Sequence, residues 1–368
     1  MKNKLKAVLF QNPVWESIVR EKAYPSEWLK TKTLGLGLIN ITLFVILTLT
    51  GILLMFYYVP EPGKAYQSVK DLEYVISFGM IIRNMHRWSA YLMIVSVFLH
   101  FARVVYMGEY RNPRQFNWII GLLMFICVLA MGNTGYLLPW DQKAYWGMTI
   151  VSNVISAVPV IGEKLKYVVL GGTEVGQNVL IRFYNLHVKV LPLVLSLLIG
   201  FHLWRIRKDD MLADKQEPSR VAPDGQADVG WSNIIKRELS KCLLILAIVM
   251  AMSVLFNAPL EEVATPSVTP DPAKAPWFFL ELQEMLSWGP PFLWAIVVPG
   301  IVMLFFIAVP YLDHGTRGTG QWFHPSRRLQ NILFTAFVVI IIGLIVIGKF
   351  MRGPGWIFYW PWQTWPTP

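Results

Sequence analysis

Two histidines share one apolar stretch of the chain, Arg83–Arg103, and this pattern restricts the fold more than any other feature. His86 and His100 lie 14 residues apart within it. In an α-helix, a rise of about 1.5 Å and a turn of about 100° per residue would place them about 21 Å apart, within about 40° of one face. A hydrocarbon layer is about 30 Å thick. The spacing therefore predicts a membrane-spanning helix that contributes one ligand to each of two stacked metal centres.

A second apolar stretch, Arg182–Lys208, repeats the pattern. His187 and His202 lie 15 residues apart in it, about 60° from the same face of a regular helix. Each histidine alone could be a core residue bonded to a backbone carbonyl. Four of the chain's six histidines in two such helices favour a shared purpose, because ionisable groups inside a membrane are costly. Since imidazole is a common axial ligand of haem iron, we predict two non-covalent b-type haem sites, His86 with His187 and His100 with His202.

The composition supports a membrane protein. Apolar residues make up 55% of the chain and charged residues only 15%. The net charge of +10 could indicate nucleic acid, but the basic residues flank apolar spans, so we assign them to topology and expect no nucleic-acid partner. Neither Cys127 nor Cys242 belongs to a C-x-x-C-H motif, so the sequence does not predict covalent haem.

Hydropathy predicts an all-α integral membrane fold, with a four-helix di-haem bundle followed by three further transmembrane helices. The seven spans cover approximately residues 34–58, 78–106, 117–138, 183–205, 240–257, 291–312 and 332–350. Short surface helices are expected between the third and fourth spans. We divide the chain into an interfacial segment at 1–33, the bundle at 34–208, a linker at 209–238, a three-helix domain at 239–350 and a Trp-rich tail at 351–368.

Loop charges predict the orientation of these spans. The basic loops fall on one side of a seven-helix arrangement, which is then the cytoplasmic or n side and carries the N-terminus. On that count His86 and His187 lie near the p side, and His100 and His202 near the n side. The Trp-rich tail then lies on the p side, either as an aromatic anchor at the membrane interface or as a docking strip for a partner.

Glycines in the first and third spans repeat the histidine interval. Gly37 and Gly51, and likewise Gly121 and Gly135, are 14 residues apart. Close helix packing is the ordinary explanation for glycine in membrane helices. Because this interval equals the one between His86 and His100, we instead expect the glycines to make room for two flat macrocycles. Arginines near the helix ends would pair with haem propionates. The alternative is that their charged groups simply extend to the membrane–water interface. These residues are Arg83, Arg87, Arg103 and Arg207.

Four segments carry a resemblance to a known family. They read R-N-M-H-R-W-S-A-Y at 83–91, G-N-T-G-Y-L-L-P-W-D-Q-K-A-Y-W at 132–146, V-P-V-I-G at 158–162 and R-F-Y-N-L-H at 182–187. On these residues the chain resembles the cytochrome b subunit of Rieske-type quinol oxidoreductases. The 15-residue histidine spacing is similar to the spacing found in one branch of this family, in which cytochrome b6 and subunit IV are separate chains. The polar stretch at 209–238 falls where that branch has its chain break, so the chain resembles a fusion of the two.

The resemblance implies a function within a membrane complex. Quinol of the menaquinol or ubiquinol type would be oxidised on the p side, with one electron passing to a Rieske iron–sulfur protein and onward to a c-type cytochrome. The other electron would cross the two haems to an n-side quinone site, with proton translocation. The resemblance also implies a homodimeric complex in membrane lipid, and we place it in a bacterial inner membrane. A covalent third haem is not expected, because Gly35 stands where the family has a cysteine.

The resemblance also locates the quinol pocket and reveals a departure. Tyr136 and Asp141, with Pro139 and Trp140, come from the segment after the third span, and Trp277 from the loop after the fifth. Pro276 replaces the family's glutamate and Phe278 its tyrosine. Glu281 and Glu284 could supply the missing proton acceptor, as could a water chain, although either glutamate could simply face solvent.

On the n side, Arg20, Arg207, Lys208 and Asp209 are candidate neighbours of a quinone or propionate, while His314 and His324 receive no role. The alternative function is a di-haem, quinone-reactive anchor of another respiratory dehydrogenase or reductase. A transporter is a different class, but the sequence lacks the broken helices and charged midplane residues expected of one.

Overall fold

The computed structural model describes residues 35–216 and 231–365 of the chain. In these ranges seven helices are long and apolar enough to cross a membrane. They cover Leu36–Met55, Gly79–Met107, Gln115–Leu137, Gln177–Asp209, Lys236–Leu255, Leu293–Leu312 and Pro325–Met351. The predicted all-α, seven-span membrane fold is confirmed, and the chain is an integral, multi-pass membrane protein.

The helices, in chain order, are as follows. The first part contains α1 (Leu36–Met55), α2 (Pro62–Tyr74), α3 (Gly79–Met107), α4 (Gln115–Leu137), α5 (Gln142–Ser156), α6 (Gly162–Leu170), α7 (Gln177–Asn185) and α8 (Leu191–Gln216). The second part contains α9 (Trp231–Leu255), α10 (Leu280–Leu286), α11 (Val298–Leu312) and α12 (Arg328–Val346). The predicted short helices between the third and fourth spans are α5, α6 and the start of α7.

A π-turn at Leu186–Val190 joins α7 to α8 and contains His187. The Leu191 N–H bonds to the Leu186 carbonyl, five residues back instead of four. Pro192 follows directly and has no N–H to donate, which favours a local departure from α-helical bonding. A π-turn absorbs one extra residue, so the interval of 15 to His202 corresponds to 14 in a regular helix. The 60° offset predicted from a regular helix is therefore wrong.

The bundle is formed by α1, α3, α4 and α8, with α9 packed on α1 and α3. Its core contains buried apolar side chains from each of these helices; they include Leu43, Met93, Cys127, Leu195 and Val249. We call the end of the bundle near His86 and His187 the His86 end, and the opposite end the His100 end. Both histidine helices start at the His86 end, as predicted.

Buried arginines join the first and second parts of the chain at the His100 end. Arg327 is fully buried and donates hydrogen bonds to the carbonyls of Val105 and Tyr106, at 2.8 Å each. Gly108 ends α3 with φ 63°, and a β-carbon there would lie 2.6 Å from Cζ of Arg327. Glycine is therefore needed at 108 for both backbone shape and space. Arg111 adds a buried ion pair with Asp313 (2.5 Å), which connects the same two loops.

The predicted linker at 209–238 is helical at both ends. Helix α8 continues to Gln216 and α9 begins at Trp231. The remaining linker positions, and the interfacial segment predicted at 1–33 with Arg20, lie outside the described residues. The Trp-rich tail is described to residue 365 and forms an antiparallel bridge between Arg352 and Phe358 around a short 3₁₀ turn at Pro354–Trp356.

Candidate functional site

The first predicted histidine pair comes together at the His86 end. The imidazoles of His86, on α3, and His187, in the π-turn, lie edge to face with ring centroids 6.1 Å apart. That separation suits one atom bonded to both rings, since metal–nitrogen bonds are about 2 Å long. The two histidines would therefore fit a metal ion held between them.

Two threonines set the hydrogen bonding of this pair. Thr50 Oγ1 lies 2.9 Å from Nδ1 of His86 and donates its own proton to the Ile46 carbonyl at 2.7 Å. Thr134 Oγ1 lies 3.2 Å from Nδ1 of His187 and donates to the Ala130 carbonyl at 2.8 Å. Because each hydroxyl proton is already used, the hydroxyl oxygen accepts from Nδ1–H, and Nδ1–H of His187 also donates to the Met131 carbonyl at 3.1 Å. The lone pair of each imidazole is then on Nε2, as a metal ligand requires.

The sequence contained a signal for these threonines that our prediction missed. Thr50 precedes Gly51 and Thr134 precedes Gly135, so both flanking helices carry a Thr-Gly pair beside the same histidine site. The other two glycines follow Leu36 and Ile120. The repeated dipeptide therefore distinguishes the His86 end from the His100 end.

The second predicted pair, His100 and His202, lies toward the other end of the same helices, α3 and α8. Nδ1 of His100 is buried and has no hydrogen-bonding partner among the described residues. A buried polar atom without a partner is uncommon in folded proteins. The two histidine sites thus share their ligand type but differ in hydrogen bonding.

Each of the four predicted glycines faces one histidine. A β-carbon would lie 3.3 Å from His86 at Gly51, 2.5 Å from His187 at Gly135, 3.9 Å from His100 at Gly37 and 3.8 Å from His202 at Gly121; in each case the nearest atom is Cε1. At Gly135 this distance leaves no space for a side chain. The structure thus brings together all four histidines with their glycines, and this arrangement fits a pair of haem groups.

The predicted arginines differ in what they contact. Arg83 donates to the carbonyls of Ala258 (2.8 Å) and Pro259 (3.1 Å), so it holds the loop after α9. Arg103 pairs with Glu109 at 2.7 Å. Arg207 is exposed near the His100 end. The contacts of Arg83 favour a structural role over the predicted contact with a propionate.

Arg87 differs because its guanidinium lies between aromatic rings. It donates to the Tyr91 hydroxyl at 2.6 Å and lies 5.5 Å from the centre of the Tyr136 ring. Its Nε is buried without a hydrogen-bonding partner in the described part of the chain. Tyr91 in turn contacts Trp277, with ring centroids 5.9 Å apart. The structure thus gathers Tyr136 and Trp277, both predicted for the quinol pocket, around Arg87 and Tyr91, which the prediction did not assign to it.

Asp141, also predicted for this pocket, has a structural task. Its Oδ1 accepts from the Ala144 N–H (2.8 Å), which caps helix α5, and its Oδ2 accepts from the Glu261 N–H (3.2 Å). Burial raises the pKa of this carboxyl, and the two backbone hydrogen bonds oppose that rise. With both oxygens accepting from the backbone, Asp141 is better suited to position the loop than to react.

The two candidate proton acceptors differ in their surroundings. Glu284 is buried and forms a two-fold ion pair with Arg352, with the closest contact 2.5 Å. This pair argues against Glu284 as the acceptor. Oε2 of Glu281 is buried and, among the described residues, has no hydrogen-bonding partner. Burial raises the pKa of Glu281 to about 7, so Glu281 is the better acceptor.

At the His100 end, Asp209 is buried and pairs with Arg205 at 2.6 Å. Lys208 lies over the Trp204 ring at 5.0 Å. His314 is exposed, and His324 caps a 3₁₀ turn through the Ser326 N–H at 3.2 Å. These contacts give His324 a structural explanation.

The chain is similar to known proteins in sequence and in fold. The family model described as Cytochrome b/b6/petB matches residues 21–210, more than half of the chain. Cytochrome b6 of Tupiella akineta is 44% identical over 173 residues, which is 47% of this chain and 80% of that protein. Cytochrome b6 of Auxenochlorella protothecoides is 44% identical over 172 residues, again covering 47% and 80%.

A solved structure extends the similarity in fold to the second part of the chain. It is described as "Hyperthermophilic respiratory Complex III" and superposes with a TM-score of 0.79 at 23% identity, covering 95% of this chain and 91% of that one. The fold beyond residue 210 is therefore also similar to a known one. By its matched family model and its relatives, the chain belongs to the cytochrome b/b6 family.

Proposed function

We propose that this chain is the cytochrome b subunit of a quinol:cytochrome c oxidoreductase of the Rieske/cytochrome b type. The observation that carries the proposal is the arrangement of two histidine pairs along one bundle, each histidine facing its own glycine. Residues 34–208 form the cytochrome b6-like bundle, and residues 239–350 form a three-helix domain that resembles subunit IV. The enzyme acts as part of a complex.

The histidine pairs, His86 with His187 and His100 with His202, would hold two non-covalent b haems. Bound haem supplies reversible one-electron transfer through a layer that excludes charge. The protein keeps Nε2 of His86 and His187 available through the hydroxyls of Thr50 and Thr134. Gly37, Gly51, Gly121 and Gly135 keep side chains away from the imidazoles. Arg87, whose buried Nε has no hydrogen-bonding partner among the described residues, provides a cation for a propionate or for a quinol oxygen.

Quinol is oxidised at the His86 end, which is the p side. Tyr136, Tyr91 and Trp277 form an aromatic wall that binds and orients the quinol ring, and Arg87 lies between the two tyrosines. Glu281 accepts one proton from the quinol hydroxyl, in place of the family glutamate replaced here by Pro276. Asp141 and Arg83 hold the surrounding loops, and their backbone contacts support this role.

The partners follow from the same proposal. One electron of the quinol, of the menaquinol or ubiquinol type, passes to a Rieske iron–sulfur protein and then to a c-type cytochrome. The other reaches a quinone at the His100 end, the n side, where Arg207, Lys208 and Asp209 are the candidate contacts. The complex is a homodimer in a bacterial inner membrane with the chain's N-terminus cytoplasmic. The fold shared with a respiratory Complex III chain supports the proposal that the chain works within such a complex.

The test is a redox-titrated difference spectrum of the purified complex, with haem quantified per chain. Two b-type components with separate midpoint potentials are expected, and His100→Ala should remove one of them while His314→Ala leaves both. One haem or none would refute the paired-site assignment. A Rieske-type electron paramagnetic resonance signal in the purified complex separates this function from a di-haem anchor of another dehydrogenase or reductase.

A further inference from the structure

The chain's tail lies against the segment that carries the proposed proton acceptor. The Gly355 N–H donates to Asp271 Oδ1 at 2.6 Å, and Lys274 lies over the Trp365 ring at 4.7 Å while donating to the Lys349 carbonyl at 2.8 Å. The tail thus contacts the loop that leads into Trp277. Because these contacts are polar and specific, the tail has a defined position on this loop.

Arg352 makes the most buried of these contacts. Its Nε and Nη2 donate to the two carboxylate oxygens of Glu284 at 2.9 and 2.5 Å, and its Nη1 donates to the Trp356 carbonyl at 3.0 Å. The Glu284 side chain is only 2% exposed and that of Arg352 is 17% exposed. Paired, charge-assisted bonds of this kind fix orientation as well as position. Arg352 therefore links the tail rigidly to helix α10.

Helix α10 depends on such contacts because it has only seven residues. An isolated helix of this length is not stable, so its place is set by what packs on it. Glu281 lies in its first turn and Glu284 in its second. Holding Glu284 therefore holds Glu281 as well.

Few charged side chains other than Glu284 and Arg352 belong to the elements around Glu281. The elements packed on α10 are the 3₁₀ turn at Trp277–Phe279, the π-turns at Leu293–Val297 and Ile347–Met351, and α12. In these elements the ionisable side chains are Lys349 and Arg328, and both are exposed. Glu284, on the same helix, and its partner Arg352 are then the other charged side chains of this helix and its tail contact.

We propose that Arg352 is a positioning residue for quinol oxidation: by binding Glu284 it fixes helix α10 and leaves Glu281 as the carboxylate that accepts the quinol proton. This inference rests on the proposed function. In the proton-transfer step a quinol O–H bond breaks and an O–H bond forms on Glu281. The oxidants of the proposed function, an iron–sulfur cluster and a b haem, would each take one of the two quinol electrons, and the second proton would leave to the p-side water.

The test is the pH profile of quinol:cytochrome c reductase turnover, measured on the intact complex together with its haem content. In the wild type, turnover should rise with pH through about 7, as Glu281 loses its proton. We call this rising part of the pH profile the acid limb. Arg352→Gln should lower kcat at least about tenfold and move this acid limb to higher pH, because Glu284 loses its cation and α10 its anchor. Glu281→Gln should remove the limb. Lys349→Gln, an exposed side chain three residues away, should behave as the wild type.

Two further variants keep the proposal testable if Arg352→Gln fails to assemble. Arg352→Lys keeps the charge but loses the paired geometry, so it should retain haem with intermediate turnover. Arg352→Gln combined with Glu284→Gln should return the acid limb toward its wild-type position, because the uncompensated charge is gone. The proposal would be overturned if either Arg352→Lys or Arg352→Gln, with its haem intact, had the kcat and the acid limb of the wild type. A wild-type complex without two haems or reductase activity would instead refute the proposed function.

Discussion

Gly135 approaches His187 more closely than any other of the four glycines approaches its histidine: a β-carbon at 135 would lie 2.5 Å from Cε1 of the imidazole. The equivalent distance from Gly121 to His202 is 3.8 Å. The two glycines lie 14 residues apart on one helix, yet only one of them is sterically required. The two histidine sites are therefore unequal in how tightly the protein surrounds them.

Replacement of these glycines should show that inequality. Gly135→Ala must displace His187, so we expect loss of most of the haem at the His86 end, with the other component retained. Gly121→Ala introduces an ordinary contact and should keep both components. Haem per chain and the redox-titrated spectrum provide the measurement. Gly200→Ala is the matched control, because no atom of the described ranges 35–216 and 231–365 lies within 4 Å of a β-carbon there.

The threonine beside His86 should matter for cofactor affinity. Thr50→Val removes the oxygen that accepts from Nδ1 of His86, and loss of such a partner typically weakens metal binding about 10–100-fold. Haem retention after dilution in detergent should fall for the His86 component alone. Thr48→Val serves as the control, since Thr48 is exposed and its hydroxyl, within the part of the chain that the structure describes, bonds to the Phe44 carbonyl alone. Equal retention in both variants would contradict a role for Thr50.

Adjacent arginines in the loop before α12 should differ sharply in their effect on stability. Arg327→Ala removes the donor to the Tyr106 carbonyl and one of two donors to the Val105 carbonyl, which keeps the Gly108 N–H, at a cost of about 2 kcal/mol. Arg328→Ala changes an exposed side chain and should cost less than about 0.5 kcal/mol. Thermal unfolding of the purified protein in detergent measures the difference. Similar midpoints for the two variants would show that Arg327 does not hold the two parts of the chain together.

Glu281 should make the stability of the fold depend on pH. Burial raises its pKa from 4.5 to about 7, so between these values the folded protein binds the proton more tightly than the unfolded chain. Stability should therefore fall as pH rises through this window, by at most about 3 kcal/mol. Glu281→Gln removes this loss and should unfold at a higher temperature than the wild type at pH 8, but at a similar temperature at pH 4.5. An unchanged difference across this pH range would contradict the shifted pKa.

Hydropathy and histidine spacing predicted the spans and the pairing because both follow from local pattern. A lipid environment demands long apolar helices, and ligands of stacked sites must repeat along them. The π-turn at Leu186–Val190 escaped prediction because helical phase was calculated for a regular helix. Thr50 and Thr134 escaped because threonine in a membrane helix ordinarily bonds to its own backbone, as both residues also do here.

The ion pair between Glu284 and Arg352 could not be predicted for a different reason. Its partners are 68 residues apart and belong to segments without a shared motif. Only the packing of the tail on α10 brings them together. The sequence alone left Glu281 and Glu284 as equal candidates, and this tertiary contact distinguishes them.

The arginine contacts at the His100 end have a consequence for the gene. Arg327 and Arg111 join the two parts of the chain by side-chain contacts, and α9 packs on α1 and α3 along the bundle. The two parts therefore recognise each other without relying on the peptide bonds between Gln216 and Trp231. If the gene were split at this position into two reading frames, the two polypeptides would already carry complementary surfaces. Fission or fusion of such genes thus requires no new interface to evolve.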